Sequence, residues 1–145
     1  MSVARICCRE VDTAEPHESV RAAAQRMASR AVGMLLVLDT DKRPIGLVTD
    51  RDIAIRVVGE GRDPAALTVG DVMSRSPRTV SELAAIEDAL ALMRSHGVRR
   101  LPVVSPQGAL VGVVTLDDIL SLLADELWQM GRVIAKTSPQ ALATP

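Results

Sequence analysis

Two phrases in this sequence set a threonine three residues ahead of an aspartate at the end of an apolar run. They are Gly46-Leu47-Val48-Thr49-Asp50-Arg51-Asp52 and Gly112-Val113-Val114-Thr115-Leu116-Asp117-Asp118. Thr-x-x-Asp at a strand-to-helix junction can act as a capping box, in which hydroxyl and carboxylate satisfy free amides of the first helical turn. The same groups can also serve a ligand. A helix start offers N–H donors and partial positive charge to a phosphate. A carboxylate one turn further in can accept hydrogen bonds from both hydroxyls of a ribose. A glycine in the preceding strand lets a flat ring approach the backbone. Asp52 and Asp118 are therefore candidate ribose ligands.

The other reactive side chains offer less. Cys7 and Cys8 are adjacent, which rules out a disulfide framework. Neither has partners at metal-ligand or redox-motif spacing. His17 precedes a helix and His96 ends one, and no Ser, Cys or carboxylate pair stands at catalytic spacing from either. No catalytic residue and no metal site are expected.

The elements that must position these residues occur twice. Sliding the chain by 66 positions matches it to itself without a gap: Val3 on Val69, Arg9 on Arg75, Met27 on Met93, Val32 on Val98, Gly46 on Gly112, Thr49 on Thr115 and Asp52 on Asp118. Such repeats usually cannot bury their apolar faces alone. Val20, Ala24 and Met27 recur at helical spacing, as do Ile86, Leu90 and Met93. The runs 34–38 and 101–104 read as strands, polar turns follow, and 45–48 and 110–114 return as the second strands of hairpins. Each hairpin leads into a helix. The first stops at Gly59-Glu60-Gly61-Arg62-Asp63-Pro64, and the second runs through Leu120, Leu123, Leu127, Trp128 and Val133 to Thr137-Ser138-Pro139. The expected organisation is one unit over 3–68, a second over 69–136 and a loose tail over 137–145.

Composition narrows the function. Of 145 residues 48% are apolar, so a core is readily built, yet the chain has no Phe, no Tyr and one Trp. With 17 basic and 18 acidic residues there is no charge excess for a phosphate backbone, and aromatics to stack bases are lacking, so no nucleic acid is expected as partner. No run approaches the ~18–20 apolar residues of a membrane span. Nor does the start carry a basic stretch followed by an apolar signal core, so a cytoplasmic protein without membrane association is expected.

The order of elements and the paired Gly-x-x-Thr-x-x-Asp-Ile phrases resemble CBS domains. So do Val69-Gly70-Asp71-Val72-Met73 and His96-Gly97-Val98-Arg99-Arg100-Leu101-Pro102-Val103-Val104. The resemblance covers roughly residues 3 to 134, with two copies forming what is called a Bateman module. The phrase Thr49-Asp50-Arg51-Asp52-Ile53 is similar to that of small stand-alone bacterial signal-transduction proteins of this family. The first copy departs at Ala4-Arg5-Ile6-Cys7-Cys8 and at Gly33-Met34-Leu35-Leu36, which lack the usual Met and Arg-x-Pro.

The resemblance implies an α/β fold of two β-α-β-β-α units packed by pseudo-twofold symmetry, a symmetric dimer, and two clefts for an adenosine nucleotide. Asp52 and Asp118 would each hold a ribose, with Thr49 and Thr115 beside the phosphates. Arg99 and Arg100 would reach phosphate in the Asp52 cleft, and Arg51 in the Asp118 cleft, where Gly33 and Met34 bring no charge. Adenine would lie among Val32, Val98 and Pro102, its edge read by backbone near Thr13 and Thr79. The expected ligand is AMP, ADP, ATP or NAD(H), with no cofactor required and an effector protein to read the signal. A ligand-free dimerisation protein and a nucleotide hydrolase are the alternative functions.

Overall fold

In the computed structural model, which describes residues 1–137, the chain forms the mixed α/β fold of two similar units that its repeat implies. The first unit contains β1 (Thr13–Ala14), α1 (Val20–Arg30), β2 (Met34–Leu38), β3 (Pro44–Thr49) and α2 (Asp50–Ile53), which runs on into a π-helical turn, Ala54–Val58. After the linker come α3 (Val69–Val72) and β4 (Ser74–Arg75). The second unit follows with β5 (Val80–Ser81), α4 (Ile86–His96), β6 (Arg100–Val104), β7 (Leu110–Thr115) and α5 (Leu116–Lys136). Apart from Thr137, the loose tail expected for 137–145 lies outside the described residues.

Each unit is a hairpin with one short parallel strand beside it. β2 pairs antiparallel with β3 and parallel with β1, and β6 pairs in the same way with β7 and β5. The registers repeat as well: Met34 lies opposite Thr49, and Arg100 opposite Thr115. The first helix of each unit ends on a left-handed residue at the same repeat position, Ala31 (φ 53°) in one copy and Gly97 (φ 64°) in the other.

The lead-in of each repeat crosses to the other repeat's sheet. β4, just ahead of the second unit, pairs with β3, placing Arg75 opposite Gly46. At the matching place Cys8 bridges to Val113 of β7, with N–H···O distances of 2.8 and 2.9 Å in the two directions. A missing side chain permits both approaches. A Cβ on Gly46 would come within 2.9 Å of the Ser74 carbonyl oxygen, and one on Gly112 would collide with the Cys8 carbonyl.

The two aliphatic cores share this exchange. Val69, Val72 and Met73 complete the core of Leu35, Val37, Val48 and Val57, while Val3 completes that of Leu101, Val103, Val114 and Ile119. Neither core closes without a segment from the other repeat.

Substituting Gly112 with Ala should therefore cost stability by pushing Cys8 off β7. Gly131 of α5 has nothing within 4 Å of a Cβ, so Gly131→Ala should cost none. Urea midpoints of the two variants test the difference, and an unchanged midpoint for Gly112→Ala would contradict the close approach.

Candidate functional site

The strand β7 and the helix α5 meet at Thr115, and the junction is held by a complete capping box. Thr115 Oγ1 accepts from the Asp118 N–H (3.1 Å), while Asp118 Oδ2 accepts from the Thr115 N–H (2.8 Å) and from its hydroxyl (2.8 Å). The first repeat builds the same box. Asp52 N–H donates to Thr49 Oγ1 at 3.1 Å, and Thr49 N–H donates to Asp52 Oδ2 at 3.0 Å. Both phrases thus cap helices, and the capping locks each carboxylate into one orientation.

Beyond the cap the two aspartates differ. Asp52 Oδ1 faces Arg56 Nη2 at 3.5 Å, one helical turn on. Arg56 is itself anchored, donating to the Val72 carbonyl at 2.7 Å and reaching the Ser74 hydroxyl at 3.4 Å. The position matching Arg56 is Leu122. Among the described residues Asp118 Oδ1 has no hydrogen-bond or ion-pair partner.

Thr115 and Asp118 form one wall of a cleft of about 310 Å³ between the repeats. That volume lies at the small end of the roughly 300–1,000 Å³ of small-molecule sites. From the first repeat the cleft takes Cys8, Glu10, Val11, Asp12, Val32, Gly33 and Met34, and from the second Arg100 and Val113. It offers an aliphatic side, a carboxylate wall and one guanidinium. On the other side of the pseudo-twofold a narrower, mainly apolar slot of about 80 Å³ runs between Met34, Leu47, Pro77, Arg78, Val98, Arg100 and Pro102. At its rim the repeats differ in backbone pairing. Leu36 N–H donates to the Asp12 carbonyl at 3.1 Å, but Pro102 has no N–H to offer Arg78.

The structure brings some of the candidate residues together and leaves others apart. Val32, Arg100, Thr115 and Asp118 share the larger cleft, while Val98 and Pro102 line the slot. Arg100 therefore stands in the Asp118 wall as well as at the slot, because its place opposite Thr115 on β6 points it between the sheets. Arg99 lines neither space and faces Asp117 at 3.4 Å on the exposed surface. Arg51, Thr49, Asp52 and Thr79 are likewise absent from both linings. The Thr13 carbonyl is taken by Arg26 at 2.8 Å.

Glu10, Asp12 and Arg56 escaped the reading of the sequence, and Cys8 was weighed there only as a redox or metal residue. Comparing repeat positions exposes the first two, since Glu10 and Asp12 match Ser76 and Arg78, a reversal of charge character. Arg56 stands at i+4 from Asp52, a spacing that commonly pairs charges on a helix.

This is the architecture of a paired-repeat module with ligand-sized space at its pseudo-twofold. The CBS domain family matches residues 3–59 and 69–125, and the chain belongs to it. It is 36% identical to the Methanopyrus kandleri protein MK0525 over 122 residues, 84% of this chain but only 62% of that protein, so the chain spans less than two thirds of that relative's length. Hypoxic response protein 1 of Mycobacterium tuberculosis is 40% identical over 129 residues, covering 88% of each chain. Among solved structures, Hypoxic Response Protein I with two coordinated zinc ions superposes with a TM-score of 0.73 at 36% identity, over 83% of this chain and 98% of that one. The CBS domain protein PAE2072 of Pyrobaculum aerophilum, complexed with AMP, gives 0.69 at 28% identity, over 81% and 89%.

Zinc in that structure belongs to that protein. Among the described residues here, no group of three or more His, Cys, Asp or Glu is placed to hold a metal ion. No helix of the described residues is long and apolar enough to cross a membrane.

Cys8 lines the cleft and is exposed, whereas Cys7 is half-buried against the second core. Burial raises the Cys7 thiol above its ordinary pKa, with the Arg9 charge opposing the shift. Iodoacetamide should therefore modify Cys8 well before Cys7, as peptide mass spectrometry would show. Equal rates would contradict the placement.

Proposed function

We propose that this chain is a regulatory module that binds an adenosine-type ligand (AMP, ADP, ATP or NAD(H)) in the cleft at Asp118. One observation carries the reading. A carboxylate locked by its cap, with one oxygen left without a partner among the described residues, faces a cleft that also holds aliphatic Val32 and the backbone of Gly33. Such an oxygen can accept from a ribose diol, and the aliphatic side can take adenine without a stacking aromatic. The AMP complex of the Pyrobaculum relative supports this ligand class.

The reading includes no chemical step and no required cofactor. Ligand would act by binding two arrangements of the repeats unequally, since only differential affinity can move a conformational equilibrium. The walls come from both repeats, so occupancy bears directly on how they sit together. A separate effector protein would read the result in the cytoplasm.

Calorimetry with AMP, ADP, ATP and NAD⁺ is the experiment. At least one should bind, and Asp118→Ala should weaken it by tenfold or more through loss of the diol contacts, while the folded state survives. A ligand at about 100 times its Kd should also stabilise the protein by roughly 2.7 kcal/mol. Undiminished affinity in the variant would remove Asp118 from the site.

We further propose a homodimer through α5. Leu120, Leu123, Leu127, Met130 and Ile134 follow the 3-4 spacing of a helix-pairing seam, and all are at least half exposed. An antiparallel second copy fits best, because Asp125 and Glu126 would then face the half bearing Arg132 and Lys136. The same face favours the second reading, a dimerisation protein without ligand. Leu127→Glu should convert the dimer to a monomer in sedimentation analysis, and a monomeric parent protein would contradict the seam.

A further inference from the structure

The pseudo-twofold relates two inter-repeat spaces whose walls carry different charge. Around Asp118 the lining holds three carboxylates, Glu10, Asp12 and Asp118, against the single guanidinium of Arg100. Asp12 is paired with Arg30 at 2.8 Å, which still leaves Glu10 and Asp118 facing one cation. The slot on the other side is lined by Arg78 and Arg100 with no carboxylate. The difference is written into the repeat positions, where Glu10 and Asp12 give way to Ser76 and Arg78.

The two aspartates differ in the same sense. Asp118 can accept a ribose diol without displacing a neighbour among the described residues. At Asp52 the diol would have to displace Arg56, which the Val72 carbonyl and Ser74 hydroxyl hold in place. Both observations make the Asp118 side suited to sugar and poor for phosphate.

We propose, building on the adenosine-binding reading above, that among adenosine-type ligands the Asp118 cleft favours those with the least negative charge at the 5′ end. Glu10 sets the preference of the Asp118 cleft by repulsion of phosphate, and Asp12 adds to it to the extent that Arg30 leaves its charge uncancelled.

Cys8 gives a local readout of the Asp118 cleft because it lines it. The experiment measures protection of Cys8 from iodoacetamide by adenosine and by ATP, alongside calorimetry of both. Adenosine should protect Cys8 at concentrations at least tenfold below those needed with ATP. In the double variant Glu10→Gln, Asp12→Asn the ratio should shift toward ATP by about tenfold. Glu10→Gln alone, which keeps the shape and the Asp12–Arg30 pair, should shift it in the same direction. Equal protection by the two compounds in the parent protein, or a ratio unmoved by either variant, would overturn the assignment while leaving adenosine binding intact. Calorimetry showing no heat with either compound would overturn the adenosine reading itself and this inference with it.

Discussion

The reciprocal backbone pairing at the two strand glycines is the constraint on which the rest of the structure depends. Cys8 and Val113 exchange two hydrogen bonds across Gly112, and β4 lies on β3 across Gly46. Each contact needs a strand residue without a Cβ, since a side chain would occupy the space of the opposing carbonyl. Through these contacts each repeat lends its lead-in to the other's core, Val69 and Val72 in one direction and Val3 in the other. Two units that share cores in this way cannot drift apart independently, and the cleft between them is a fixed consequence of their pairing.

Within that near-symmetric frame, function is read from where the repeats depart from each other. The capping boxes at Thr49–Asp52 and Thr115–Asp118 are built alike and orient their carboxylates alike. Arg56 occupies the outer oxygen of one, and Leu122 leaves the other alone. Met34 and Arg100 sit at matching places between the sheets with different charge. The differences decide which half holds which group of a ligand.

Much of this was legible in the sequence. The 66-residue offset, the helical periodicity of Val20, Ala24 and Met27, and the hairpin strands all follow from local pattern, and the structure keeps them. The pairing of Thr115 with Asp118 at a helix start follows from their spacing, whereas Val32, which lines the same cleft, was named only through the family resemblance. The lead-in exchange was not legible, because a two-residue strand such as β4 owes its pairing to tertiary proximity rather than propensity. The directions in which the arginines point were not legible for a related reason. Repeat position gives the strand a residue sits on, but Arg100 faces the space beside Thr115, while Arg99 turns outward to Asp117. The acidic wall of Glu10 and Asp12 lies in irregular backbone, where no periodicity marks which side chains point inward.

The most direct test of the central claim is the map of backbone amide shifts in ¹⁵N-resolved spectra as adenosine is titrated in. The account predicts that the largest movements fall on Val32, Gly33, Thr115 and Asp118, residues far apart in the chain that meet only at the inter-repeat cleft. Shifts confined to the exposed face of α5 beyond Leu120, or scattered over the surface, would contradict it, since no ligand held by the Asp118 carboxylate could bind there.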